Sequence, residues 1–253
     1  MMLNSTINSP LEQFEIVTLL PLTFNGLNLS FTNSSLFLII AISILLFWLS
    51  LSFFKSTLIP SNWQSTKEVF YLLTVSMVKD NLGHKGQYYF PFIFTLHAVL
   101  LFCNLVGMVP YSFTVTSHIS FTFSLALSIF LGINVIGIRT HGLNFFSLFL
   151  PRNVPFIIIP LLVAIEFISY VIKVFTLSIR LFANMTSGHT LLKIIAGFAW
   201  TMLSSGGLLF IFHLIPLSLL FVLIGLELGI AALQAYVFTL LTCIYLNDVL
   251  DIH

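Results

Sequence analysis

Charged side chains are scarce in this sequence. Asp, Glu, Lys and Arg together make up 7% of its 253 residues, and hydrophobic residues make up 58%. Typical soluble domains carry about 25% charged residues. The composition therefore excludes a soluble domain and predicts an integral membrane protein. With a net charge of +1, the chain also offers no electrostatic basis for binding nucleic acid.

Cysteine and targeting signals are also lacking. The two cysteines, Cys103 and Cys243, lie in separate apolar runs without CxxC spacing or a Cys/His cluster, so we expect small buried hydrophobic side chains. The first eight residues have neither a basic region nor an apolar core, and we expect no signal or transit peptide. A hydrophobic chain of this kind is made in a bacterium or within an organelle.

Long apolar runs predict an all-α membrane protein with a single membrane domain. A spanning helix needs ~20 apolar residues. We expect spans at 36–54, 88–110 and 119–138, followed by longer runs at 156–200 and 208–247. A forty-residue helix is ~60 Å long, so these two runs are either broken or strongly tilted. The glycine pair at 206–207 is the expected turn of a C-terminal helical hairpin.

Residues 61–83 carry a different pattern. Apolar side chains fall on one helical face, which comprises Trp63, Phe70, Leu73 and Met77. Polar side chains fall on the other face, so the pattern predicts an amphipathic helix at the membrane surface. A helix that covers a soluble partner has the same pattern, and this alternative stays open.

The connections between the apolar runs differ in their content of basic residues. The segments 1–35, 111–118 and 200–207 contain no Lys or Arg, whereas the connections 55–87 and 139–155 contain several. These are Lys55, Lys67, Lys79, Lys85, Arg139 and Arg152. By the positive-inside rule, this distribution places the N-terminus on the outer side and the C-terminus on the inner side.

Polar side chains interrupt the first long apolar run. Glu166, Lys173 and Arg180 recur every seven residues, and Asn184 continues the same side of a helix. His189 points roughly the opposite way. An arginine at bilayer depth costs about 2.5–3.5 kcal/mol on insertion scales, so its site must face protein or water. The pattern indicates a path for protons or ions, or else an ion-pair network that only holds helices together.

An antiparallel hairpin brings polar side chains of the two long runs together. The expected pairs are Arg180 with Gln234, His189 with Glu227, and Glu166 with Asp248. A histidine and a carboxylate across a partly hydrated gap can exchange protons near neutral pH. A glutamine can hold an arginine by hydrogen bonds without neutralising its charge.

Two stretches of the chain resemble a known family. SIRLFANMTSGHTLLK at 178–193 and LQAYVFTLLTCIYLND at 233–248 are similar to subunit a of the rotary F-type ATP synthases, and shorter matches extend over nearly the whole chain. The resemblance implies a proton-translocating stator subunit that is not catalytic by itself. Its tilted hairpin would form two aqueous half-channels against a ring of c subunits, so that proton flow drives rotation and ATP synthesis.

The resemblance also assigns roles to single residues. It implies that Arg180 faces the ring carboxylates, with Gln234 beside it, and that Asn184 and Glu166 are polar positions of the proton pathways. His189 and Glu227 are exchanged relative to bacterial members, as in mitochondrial ones. Their position near the uncharged turn places them on the outer side, where protons are taken up, and it places Glu166 and Lys173 toward the inner exit.

The same resemblance implies a location and partners. We expect the mitochondrial inner membrane, with the N-terminus in the intermembrane space. Expected partners are the c-ring carboxylates, peripheral-stalk and accessory membrane subunits, lipids, and a second ATP synthase in a dimer. No cofactor is expected, and no metal site at His189, because the position one turn later is Lys193.

Two alternative functions stay open at this point. A secondary ion transporter also has intramembrane charges and broken helices, but the halves of this chain show no internal repeat. A structural membrane subunit of a respiratory complex would not need Arg180, His189 and Glu227 on converging stripes. Replacement of Arg180 would distinguish a stator subunit from a transporter and from a structural subunit.

Overall fold

Six α-helices dominate the part of the chain that the structure describes. The computed structural model describes residues 9–24, 27–28, 30–51, 60–109, 112–142, 144–145, 158–206 and 212–250. The helices are α1 (Asn33–Ser50), α2 (Asn62–Leu82), α3 (Phe90–Gly107), α4 (Ile119–His141), α5 (Ile159–Ser205) and α6 (Leu214–Leu250). All except α2 are long and apolar enough to cross a membrane. The prediction of an all-α membrane protein is confirmed.

The helix ends differ slightly from the predicted spans. α1 begins before residue 36 because Thr32 and Ser35 form a capping box, and its predicted end at Phe54 lies outside the described residues. α4 continues past residue 138 to His141 and stops at Gly142, whose φ of 58° suits glycine.

The N-terminal segment contains short elements that the sequence pattern does not predict. A 3-10 turn at Pro10–Phe14 is closed by a capping box between Ser9 and Glu12. Two small antiparallel pairs follow, of β1 (Thr18–Leu20) with β4 (Phe31–Thr32) and of β2 (Thr23–Phe24) with β3 (Leu27–Asn28). Strands of two or three residues are too short to leave a readable alternation.

The two C-terminal helices are unbroken over their described length. α5 contains 47 residues and α6 contains 37. At 1.5 Å per residue these helices are ~70 Å and ~55 Å long, which exceeds the ~30 Å hydrocarbon core of a bilayer. Of the two readings left open by the sequence, the unbroken helices favour a tilted hairpin, because tilt keeps more of their apolar length inside the membrane.

α6 is the central helix of the packing. It contacts α2, α3, α4 and α5, and α4 also packs along α5. The most deeply buried side chains come from these contacts, and they include Ile93, Leu100, Leu181, Phe238 and Leu246. This packing holds one side of α6 against α3 and places the polar residues of α5 and α6 next to each other.

The predicted apolar face of α2 is only partly covered by the rest of the chain. Met77 is buried, and the Phe70 ring contacts aromatic rings of its neighbours, but Trp63 and Leu73 are exposed. The buried side instead includes Thr74, because α3 and α6 cover the C-terminal half of α2. The location of α2 at the membrane surface stays a prediction.

Candidate functional site

The α5–α6 hairpin brings His189 and Glu227 together, as its antiparallel geometry predicts. His189 Nδ1 lies 3.5 Å from Glu227 Oε1, with 15% and 5% of the respective side chains exposed. This is ion-pair distance, although neither Glu227 oxygen has a hydrogen-bond partner among the described residues. Gly188 allows the approach, since a Cβ there would lie 2.6 Å from Glu227 Oε1.

Gln234 pairs with a different residue from the one predicted. Its Oε1 accepts a hydrogen bond from Asn184 Nδ2 at 3.0 Å, and no hydrogen bond joins it to Arg180 within the described ranges. The physical reason lies in the helix bounds. α5 ends at Ser205 and α6 begins at Leu214, so the hairpin is centred about three residues beyond the glycine pair and its register is offset by about one helical turn.

The same offset changes the inner pair. Asp248 Oδ2 lies 3.3 Å from Lys173 Nζ, so the predicted contact between Glu166 and Asp248 is wrong. Lys173 also lies over the rings of Tyr245 and Tyr170, with Nζ 5.0 and 5.7 Å from their centroids. Glu166 is exposed and makes no ion pair to any residue that the structure describes.

Arg180 lies between these two pairs along α5, on the exposed part of the helix surface. It is exposed, and no described side chain forms a hydrogen bond or an ion pair with it. The exposed surface of α5 near it includes apolar side chains, since Phe175 is 46% and Ile179 47% exposed. A guanidinium on a helix of a membrane protein is costly unless it faces protein, water or an opposite charge.

A third contributor to the site comes from the connection between α3 and α4, which the sequence reasoning missed. Thr114, in this connection, is buried, and its Oγ1 lies 3.1 Å from His189 Nε2. The carbonyl of Ser117 accepts a hydrogen bond from Thr186 of α5. The cluster of Thr, Ser and His at 114–118, between two apolar spans, was the available signal.

Several buried polar side-chain atoms have no hydrogen-bond partner within the described part of the chain. They include Asn104 Oδ1, Thr116 Oγ1, His118 Nε2, both carboxylate oxygens of Glu227, and Gln234 Nε2. Buried polar atoms are normally hydrogen-bonded, and each exception needs an explanation. Unused acceptors and donors beside a His–Glu pair are what a site needs in order to take up and pass on a proton.

Known proteins are similar to this chain over nearly its whole length. A family model described as ATP synthase A chain matches residues 35–247. A protein named ATP synthase subunit a from Chondrus crispus is 76% identical over 247 residues, which cover 98% of each chain. Proteins of the same name are 50% identical in Marchantia polymorpha, over 97% of this chain and 99% of the relative, and 48% identical in Brassica napus, over 100% of both. The chain therefore belongs to the ATP synthase A chain family.

Proposed function

We propose that this chain is the proton-translocating stator subunit of a rotary ATP synthase and that it is not catalytic by itself. The observation that carries the proposal is Arg180, a charged and exposed side chain on an apolar helical surface without a counter-charge among the described residues. Membership of the family disfavours the alternatives of a secondary transporter and of a structural subunit in a respiratory complex.

The counter-charge is a carboxylate of the rotating c-ring. A buried isolated carboxylate is costly, so a ring carboxylate travels through the lipid in its neutral form. At ~4 Å from Arg180 and an effective dielectric near ~20, attraction contributes ~4 kcal/mol in favour of its ionised form. The carboxylate therefore releases its proton when it reaches Arg180.

Two polar regions on either side of Arg180 supply and remove the protons. At 1.5 Å per residue, His189 lies ~13 Å along α5 in one direction and Glu166 lies ~21 Å in the other. The outer region contains His189 and Glu227, and the inner region contains Glu166 and the Lys173–Asp248 pair.

The barrier between the two regions comes from Arg180 itself. Its guanidinium stays protonated, so it cannot pass a proton directly from one region to the other. Asn184 and Gln234 hydrogen-bond to each other beside it and leave its charge free for the ring. Protons then cross only on the ring, and each one contributes about 2.3 kcal/mol per 100 mV to rotation.

The location and the wider assembly follow from charge distribution and family. We place the chain in the mitochondrial inner membrane with its N-terminus in the intermembrane space, because Lys and Arg concentrate in the connections of the opposite side. The exposed apolar side chains of α1 and α4 suit lipid. Peripheral-stalk and accessory subunits, and a second complex in a dimer, complete the expected partners.

Cross-linking tests the ring-facing surface. Ala183→Cys places a thiol on the exposed side of α5 next to Arg180, while the native Cys103 and Cys243 stay buried. The matched control is Ile39→Cys, equally exposed to the membrane on α1, which packs against α3. We expect disulfide formation between the first thiol and a cysteine introduced beside the ring carboxylate, and none from the control. Cross-linking from Ile39→Cys alone would place the ring on the wrong side of the chain.

A further inference from the structure

A threonine hydroxyl from outside the hairpin completes the surroundings of the His189 ring. Thr114 is 3% exposed, and its Oγ1 lies 3.1 Å from His189 Nε2. The opposite ring nitrogen, Nδ1, faces Glu227 Oε1 at 3.5 Å. His189 is therefore held between a hydroxyl on one side and a carboxyl group on the other.

The Thr114 hydroxyl has a second neighbour that decides its orientation. Its Oγ1 lies 3.3 Å from the carbonyl oxygen of Gly107 at the end of α3, and it can donate its hydrogen there. A hydroxyl has one hydrogen and two lone pairs. When the hydrogen goes to Gly107, a lone pair faces His189 Nε2, and the ring must carry its own hydrogen on that nitrogen.

The position of Thr114 is held by further contacts. Its carbonyl oxygen accepts a hydrogen bond from Ser117 Oγ at 2.6 Å. Gly107 lies so close that a Cβ there would be 2.6 Å from Thr114 Cγ2, so the absence of a side chain at Gly107 is what makes room for the threonine. The hydroxyl is thus fixed by its backbone and by close packing on α3.

We propose that Thr114 is a positioning residue that keeps the hydrogen of neutral His189 on Nε2, so that the bare Nδ1 can take the proton of Glu227. The proton leaves Glu227 Oε1 and binds His189 Nδ1. The resulting imidazolium still donates Nε2–H to Thr114, and the carboxylate and imidazolium remain as a pair. The reverse transfer restores both neutral groups. The proposal rests on the function proposed above, because Thr114 acts on a histidine of the outer proton path.

The other groups around the His189 ring do not fix the position of its hydrogen. The edge of Phe14, from the N-terminal 3-10 turn, contacts the ring with 6.4 Å between centroids. Lys193, one turn further along α5, donates to the carbonyl oxygen of Ser9 at 3.4 Å. His118, outside the spanning segments, stacks on Phe113, and burial lowers its pKa. Glu227 is therefore the titratable group in direct contact with His189.

Three variants of the whole ATP synthase in membrane vesicles test the proposal. Thr114→Val keeps the shape and removes the hydroxyl, and Thr114→Ser keeps the hydroxyl. Thr122→Val is the matched control, because Thr122 is equally buried and its hydroxyl bonds only the backbone around the start of α4. The rate of proton-driven ATP synthesis is measured against the pH on the outer side.

We expect Thr114→Val to lower the rate about tenfold, as for one lost hydrogen bond, and to shift the pH of half-maximal rate. Thr114→Ser and Thr122→Val should keep both quantities. An unchanged pH profile in Thr114→Val, with Arg180→Ala inactive, overturns the role of Thr114 and leaves the proposed function standing. An active Arg180→Ala overturns the proposed function instead.

A measurement on the unmodified complex covers the case in which Thr114→Val does not assemble. Nitrogen-15 spectra of histidine-labelled complex, compared with His189→Gln, report which ring nitrogen of His189 carries the hydrogen. We expect the Nε2–H form. The Nδ1–H form in the unmodified complex would overturn the proposal.

Discussion

The outer and inner halves of the hairpin hold their charged groups in different ways. The outer pair, His189 and Glu227, is buried, and the carboxyl oxygens of Glu227 lack hydrogen-bond partners among the described residues. The inner pair, Lys173 and Asp248, leaves 32% and 42% of its side chains exposed, and two tyrosine rings flank the lysine.

This difference separates a proton carrier from a lasting ion pair. A histidine and a glutamate can share one proton, and burial favours that arrangement because an isolated buried charge is costly. A lysine and an aspartate that are partly exposed have no such need and can both stay charged. We infer that the outer half exchanges protons between side chains, whereas the inner half provides a charged exit.

Of the variants that change the two pairs, the one that removes the outer pair has the largest expected effect. His189→Leu with Glu227→Met replaces a buried pair by apolar side chains, a change that proteins often tolerate in stability. Loss of an acid–base pair should lower proton-driven ATP synthesis by about 100-fold or more. The rate is measured in vesicles after confirming assembly.

The matched control for this double variant is the exchange of the two side chains, His189→Glu with Glu227→His. It keeps both groups able to accept and release protons, and it should retain activity. If the apolar pair works as well as the unmodified complex, the two residues only hold the hairpin together.

A smaller effect is expected from crowding the same pair. Gly188→Ala introduces a Cβ 2.6 Å from Glu227 Oε1 and 3.0 Å from its Cδ, and a flexible side chain can swing away from it. The complex should therefore assemble, but a carboxyl group displaced by about 1 Å should lower ATP synthesis by up to about 100-fold.

Gly197→Ala on the same helix is the control for crowding, because a Cβ there meets nothing within 4 Å. It should leave the rate unchanged. Equal losses in both variants would point to a general effect on α5 and not to the position of Glu227.

The smallest effect is expected in the inner half. Lys173→Met removes the charge and keeps an apolar stem against Tyr170 and Tyr245. Because the pair with Asp248 is partly exposed, the loss should be below about 1 kcal/mol of stability. An interaction of that size, lost from the rate-limiting step, would change ATP synthesis by at most about fivefold. Inactivation comparable to that of the outer double variant would remove the contrast between the two halves.

The comparison also shows what the sequence could predict. The length and apolar content of the runs were enough to predict the spanning helices. The assumption of an antiparallel hairpin was enough to predict the pair of His189 and Glu227. The finer register was not predictable from the two glycines, because α5 ends at Ser205 and α6 begins only at Leu214. Gln234 therefore meets Asn184, and Asp248 meets Lys173.

Thr114 illustrates a different limit. It lies in a connection without periodicity, so hydrophobic patterning carries no information about its neighbours. Its contact with His189 depends on how the connection between α3 and α4 packs against α5, 75 residues further along the chain. Such a residue becomes visible only when the tertiary packing is known.

Arg180 is the residue on which the two halves depend, since the barrier between them is its charge. The most direct measurement is proton-driven ATP synthesis by Arg180→Ala in the assembled complex, compared with Arg139→Ala, an exposed arginine in the last turn of α4. Loss of ~4 kcal/mol of attraction to the ring carboxylate corresponds to a rate lower by about 1000-fold. We predict that loss for Arg180→Ala and an unchanged rate for Arg139→Ala, and normal synthesis by Arg180→Ala would contradict the account.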